Sequence, residues 1–156
     1  RSFESYPIAV PTVGADPVPV PLLPDGSHDL VAMREAITDD TVALILCSPN
    51  TPTGPALTYE EIASFVADAP DDVMIIVDEA YIDFATKPGV RTAVPLIETH
   101  PNVVVMRTFS KAHALAGVRV GYAIGDAEVI GAIQSLLVPF GVNSLALAPP
   151  WPRSQT

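Results

Sequence analysis

Positive charge is scarce in this chain. Eight Lys and Arg stand against 18 Asp and Glu, a formal net charge of −10 over 156 residues. A nucleic-acid partner would need a basic face, and this balance argues against one. A small anionic ligand stays open, because one well-placed Arg outweighs a distant acidic surface. Cys47 is the only cysteine, so no intrachain disulfide can form. In a reducing cytoplasm, the expected compartment, it reads as a small core hydrophobe. No apolar run looks like a membrane span, and no basic segment leading into an apolar core marks a signal peptide. His28, His100 and His113 lack metal-ligand spacing, so no metal is expected. A Gly-rich phosphate loop, a nucleophile elbow and a catalytic carboxylate pair are all missing.

What is present is apolar residue in excess, 49% of the chain, and a first residue that is Arg1. Both suggest a piece of a larger protein that buries surface against other parts or a second subunit. Residues 7–24 carry Pro7, Pro11, Pro17, Pro19, Pro21 and Pro24. Proline removes donors and fixes φ, so the stretch is expected to be an extended connector, not a helix, with Val18 to Leu22 at best an edge strand. Asp29 is placed to cap a helix through Ile37, and Thr58-Tyr59-Glu60-Glu61 has capping-box spacing ahead of Ile62, Phe65, Val66 and Ala69. A short helix is expected near Ala93 to Glu98, and Asp126 is placed to cap another that carries Val129, Ile130, Ile133, Leu136 and Leu137. Apolar runs at Ala43 to Leu46, Met74 to Val77, Val103 to Thr108 and Val120 to Ile124 predict strands. Strands alternating with helices predict an α/β fold, a three-layer α/β/α sandwich with a mostly parallel sheet. The last strand follows too closely for a crossover helix and should run antiparallel.

Three of these strands release polar residues at their C-terminal ends, the edge where open α/β sheets bind ligands. The first ends in Cys47-Ser48-Pro49-Asn50-Thr51-Pro52-Thr53-Gly54. The second ends in Asp78-Glu79-Ala80-Tyr81, and the third runs into Arg107-Thr108-Phe109-Ser110-Lys111, with Arg119 beyond. An amine, a carboxylate, a phenol, hydroxyls and a guanidinium together suit pyridoxal phosphate. Lys111 would hold the aldehyde as an imine, in a partly buried setting that eases loss of its proton. Asp78 would pair with the pyridine nitrogen and Tyr81 with the ring oxygen. Thr108, Ser110 and Arg119 suit the phosphate, and Phe3 could lie on the ring. Arg107 is a weaker candidate, read otherwise as a surface or structural residue. Taken singly, each residue has a plainer reading as cap, core or solvated loop; the joint pattern does not.

The motifs Ser48-Pro49-Asn50-Thr51-Pro52-Thr53-Gly54, Asp78-Glu79-Ala80-Tyr81-Ile82-Asp83-Phe84 and residues 107–122 resemble class I/II aminotransferases of fold type I. Among these they look most like the histidinol-phosphate aminotransferase branch, which Pro139 to Ala146 also resembles. The likeness implies a partial large cofactor-binding domain over residues 1–146, with 147–156 a disordered or aberrant tail. It implies pyridoxal phosphate as cofactor and Lys111 as the catalytic, Schiff-base lysine. Phe3, Thr51, Asp78, Tyr81, Thr108, Ser110 and Arg119 join it in binding the cofactor. Thr51 departs from the family's Asn, whose place before Pro-Thr-Gly it takes. The implied reaction is transamination between L-histidinol phosphate and 2-oxoglutarate, in histidine biosynthesis. An aromatic amino acid aminotransferase or a related enzyme of the branch is the alternative, as is a non-catalytic fragment. Partners would be a small amino donor, a 2-oxo acid and, for the whole protein, a second copy in a homodimer.

Overall fold

The computed structural model describes residues 2–147. Its frame is a four-stranded sheet in the order β1-β2-β3-β4, formed by β1 (Ala43–Cys47), β2 (Met74–Asp78), β3 (Val103–Thr108) and β4 (Gly121–Ile124). The first three are parallel, with Leu46 opposite Val77 and Val77 opposite Val105. β4 runs antiparallel to β3, placing Thr108 opposite Gly121. Only residues 109–120 join these two strands, which leaves no room for a crossover helix. The α/β class and mostly parallel sheet expected from the sequence are present.

One face of the sheet makes the core. Leu46, Ile75, Val77, Val103 and Val105 pack with Met33, Ile62, Phe65, Val66 and Leu96. Full burial of such side chains is worth roughly 1.5–3 kcal/mol each. Met33 comes from α2 (Leu30–Glu35), where Asp29 accepts from Ala32 N–H at 2.9 Å. Phe65 and its neighbours come from α3 (Tyr59–Asp68), whose capping box forms as expected. Glu61 accepts from Thr58 N–H at 2.6 Å, and Thr58 Oγ1 accepts from Glu61 N–H at 3.3 Å. Leu96 lies on a 3₁₀ turn, Val94–Glu98. Met74, Ile76, Asp78 and Val104 alternate onto the opposite face. There α4 (Ala127–Ser135) approaches: a Cβ at Gly125 would come within 3.3 Å of both Ile130 and Val104. Asp126 caps this helix by accepting from Glu128 N–H at 2.8 Å. It ends at Ser135, so Leu136 and Leu137 lie past its end and are exposed.

Two expectations fail near the start. Ser5–Thr12 is a helix, α1, despite Pro7 and Pro11. Pro7 falls in the first turn, where N–H groups have no intrahelical acceptor, so its missing donor costs nothing there. Pro11 removes one later bond, and the helix closes at once, with Thr12 Oγ1 donating to Ala9 O at 2.6 Å. No strand forms over 18–22, because nothing in the sheet pairs with it. The expected disordered tail lies, from residue 148 onward, outside the described residues.

Candidate active site

The C-terminal ends of β1, β2 and β3 deliver most of the predicted residues to one edge. Asp78 is the last residue of β2 and only 9% exposed. Its Oδ1 accepts from Ala80 N–H at 3.0 Å and its Oδ2 from the Tyr6 phenol at 2.7 Å. Cys47 lies opposite Asp78 in the ladder. It is buried, as expected of a small core residue, and burial pushes its thiol pKa up.

Thr51, Tyr81 and Lys111 form a second group. Lys111 Nζ lies 5.0 Å from the Tyr81 ring centroid. Hydrogen bonding from the Lys111 ammonium holds the Tyr81 phenol below its usual pKa, and the Thr51 hydroxyl acts in the same direction. The phenol therefore lies between the lysine expected to hold the aldehyde and Thr51 of the first motif. Lys111 is exposed, unlike the partly buried lysine expected, because in the described chain it sits on an outer turn beyond the strand. A pocket of about 480 Å³ adjoins this group, with Pro49, Thr51, Tyr81, Phe84 and Lys87 among its walls. Asp78 and Lys111 do not line it.

Thr108, Ser110 and Arg119 form the third group. Thr108 Oγ1 accepts from Ser110 N–H at 3.0 Å. Arg119 donates through Nη1 to Ser110 Oγ at 3.4 Å and to Ala116 O at 2.8 Å. Arg119 has φ +55°, a left-handed backbone that non-glycine residues adopt at a cost of about 1 kcal/mol. That turn reverses the chain into β4 and folds the guanidinium back over the loop. Gly121 follows, and a Cβ there would meet Arg107 O at 2.7 Å, so β4 sits this close to β3 only with glycine.

Phe3 is 40% exposed. It stands edge-on to Tyr6, with centroids 5.5 Å apart and an interplanar angle of 84°. Phe3 thus neighbours the residue that holds Asp78. Arg107 faces away from this edge, bonded to the buried Glu79, which favours the structural over the surface reading. The histidines are dispersed: His28 donates to Cys47 O at 2.9 Å, His100 pairs with Thr99, and His113 packs on Phe109.

Sequence reasoning missed Tyr6, Asn50 and Glu79. Asn50 is 3% exposed, accepts from Ser2 Oγ at 2.6 Å and donates to Thr53 Oγ1 at 2.7 Å, which shapes the loop carrying Thr51. Phe3-x-x-Tyr6 is an i, i+3 aromatic pair, a signal masked by the prolines around it.

Comparisons with known proteins bear on the family and the fold. The family model described as aminotransferase class I and II matches residues 1–150. An aromatic amino acid aminotransferase from Cutibacterium acnes is 48% identical over 146 residues, covering 94% of this chain and 42% of that protein. Its counterpart from Corynebacterium efficiens is 48% identical over 149 residues, covering 95% and 44%. The chain therefore spans less than half the length of these curated relatives. Among solved structures, the histidinol-phosphate aminotransferase from Clostridium acetobutylicum superposes with a TM-score of 0.82 at 27% identity, covering 93% of this chain and 43% of that one. The histidinol-phosphate aminotransferase from Sinorhizobium meliloti, in complex with pyridoxal-5'-phosphate, gives 0.80 at 27% identity, covering 87% and 37%.

Proposed function

Because the chain belongs to the class I and II aminotransferase family, we propose that it is the cofactor-holding part of a pyridoxal-phosphate-dependent aminotransferase. The observation that carries this reading is the gathering of Asp78, Tyr81 with Lys111, and Thr108 with Ser110 and Arg119 at one sheet edge.

The donor set fits the cofactor group by group. A carboxylate has about four acceptor directions. Asp78 uses one on each oxygen, so acceptor capacity remains for a protonated pyridine nitrogen. Thr108, Ser110 and Arg119 offer hydroxyls and a guanidinium fork to a phosphate dianion. Tyr81 and Thr51 offer donors to the ring oxygen, and Phe3 an aromatic face. When bound, pyridoxal phosphate supplies an electron sink for the pair left when the substrate Cα–H bond breaks.

The chain's own residues do the rest. Lys111 Nζ tethers the cofactor and carries the proton at the reacting carbon. Asp78 holds negative charge against the ring nitrogen, which keeps that nitrogen protonated. Tyr81, with its phenol proton loosened by Lys111, shares a hydrogen bond across the site. Arg119 and its two hydroxyl neighbours anchor the far end.

For the amino donor, the sequence motifs support L-histidinol phosphate with 2-oxoglutarate. Aromatic amino acids are the second reading, favoured by the name of relatives 48% identical. A homodimer in the cytoplasm goes with either. Apolar side chains left exposed at Leu136, Val138, Phe140 and Leu147 support a further interface.

The test is a pyridoxal phosphate titration of the chain followed by absorbance, with Lys111→Ala as control. The expected result is a saturable band that the variant lacks. Single-turnover decay of that band with phenylalanine or with histidinol phosphate then separates the two donors. No Lys111-dependent band in a folded chain would sink the reading for this chain.

A further inference from the structure

Asp78 is held by a residue that neither the motifs nor its own strand supplies. Tyr6, on α1, reaches across 72 positions of sequence to donate to Asp78 Oδ2 at 2.7 Å. Ala80 N–H takes the other oxygen at 3.0 Å. Two donors on opposite oxygens fix the plane of a carboxylate that would otherwise turn about its Cβ–Cγ bond. Tyr6 is itself oriented, partly buried and braced edge-on by Phe3. Burial and the bond to Asp78 both push its phenol pKa up, so it keeps its proton and remains a donor. A purely packing role would be served by phenylalanine and would not need the hydroxyl to end on the carboxylate.

We infer that Tyr6 is a positioning residue for the cofactor: it fixes the plane of Asp78 so that the remaining acceptor directions meet the N–H of a heteroaromatic ring. This rests on the reading of Asp78 given under Proposed function. Holding an acceptor in place before the ligand arrives removes an ordering cost from binding. Tyr6 touches neither substrate nor reacting atoms in this account; it acts through Asp78.

The experiment compares two ligands on the chain: pyridoxal phosphate, and its carbocyclic analogue with C–H in place of the ring nitrogen. The ratio of their dissociation constants reads the Asp78 contact and cancels general effects on folding. Wild type should favour pyridoxal phosphate, and Tyr6→Phe should shrink that preference about tenfold, the worth of one hydrogen bond to a charged group. Asp78→Ala should abolish the preference, and adding Tyr6→Phe to it should change nothing more. A folded Tyr6→Phe chain with the wild-type ratio overturns the inference and leaves the aminotransferase reading intact. A wild type that forms the Lys111-dependent band equally with both ligands overturns the role of Asp78, and the inference with it. A wild type that forms no band overturns both. Should Tyr6→Phe fail to fold, the wild-type phenolic proton decides by NMR. It should shift between the two bound ligands, and an unmoved signal overturns the inference.

Discussion

Arg107, partly exposed, and Glu79, buried, form an ion pair next to the candidate site. Arg107 Nε and Nη2 lie 3.0 and 2.8 Å from the same oxygen, Glu79 Oε2. Thr92 Oγ1 also donates to it at 3.0 Å, and Ala93 N–H donates to Oε1 at 2.6 Å. Glu79 is 2% exposed, so its carboxylate ties β3 and the 92–93 segment to the end of β2. Glu79→Ala takes the carboxylate away from a guanidinium and from the Thr92 and Ala93 donors. The expected loss is about 3–5 kcal/mol in urea unfolding, and Glu79→Gln should lose less. A loss below about 1 kcal/mol would show that solvent replaces the pair without penalty.

Arg119→Ala should weaken pyridoxal phosphate by roughly 10- to 100-fold, since hydrogen bonds to charged groups are worth about 1.5–3 kcal/mol. Pyridoxal, which lacks the phosphate, should be nearly indifferent to the change. Arg119→Lys should fall between, because it keeps the charge and loses the fork. Equal weakening of both ligands would place Arg119 elsewhere than at the phosphate.

The tyrosines should ionise in a spread order. Lys111 lowers the Tyr81 phenol and burial raises that of Tyr6. Ultraviolet titration should show a first tyrosinate component below the usual value of about 10. Lys111→Ala should move that component up. Tyr6→Phe should leave the titration unchanged until the chain unfolds.

Stability should fall in mild acid through His28. Burial lowers its pKa below the unfolded value, which is about 6.5. On acidification the unfolded chain takes up the proton first. The His28 contribution is therefore complete above the unfolded pKa and is lost as pH falls through the folded one. The urea midpoint of wild type should drop between about pH 7.5 and pH 5.5 by more than that of His28→Gln, whose amide donates without titrating. Parallel curves would remove His28 from the account.

Much of the frame could be read from residue order because its signals are local. Met74 to Val77 and Val103 to Val105 are aliphatic runs bounded by turn residues, and Thr58 with Glu61 announces a helix start. The antiparallel β4 follows from the short connection before it. What escaped depends on contacts between distant positions. α1 hid behind prolines whose damage depends on which turn they occupy. The Tyr6–Asp78 bond spans 72 positions, and no spacing rule reaches that far. The three groupings at the sheet edge were foreseeable as chemistry, but the exposure of Lys111 was not, since a strand end specifies position and not enclosure.

Asp78 and Glu79 are chain neighbours with divergent duties. One lies at the candidate site and is met by a phenol; the other points inward and is met by a guanidinium. Alternation along a strand is what separates them. The ladder of β2 between β1 and β3 thus does more than hold the sheet. A slip of one residue would exchange the two carboxylates, turning Asp78 to the interior and Glu79 to the candidate site. The pairing of apolar residues such as Val77 with Leu46 and Val105 thereby sets which carboxylate faces which side. Substitutions in those strands that spare every polar group can still misplace both carboxylates.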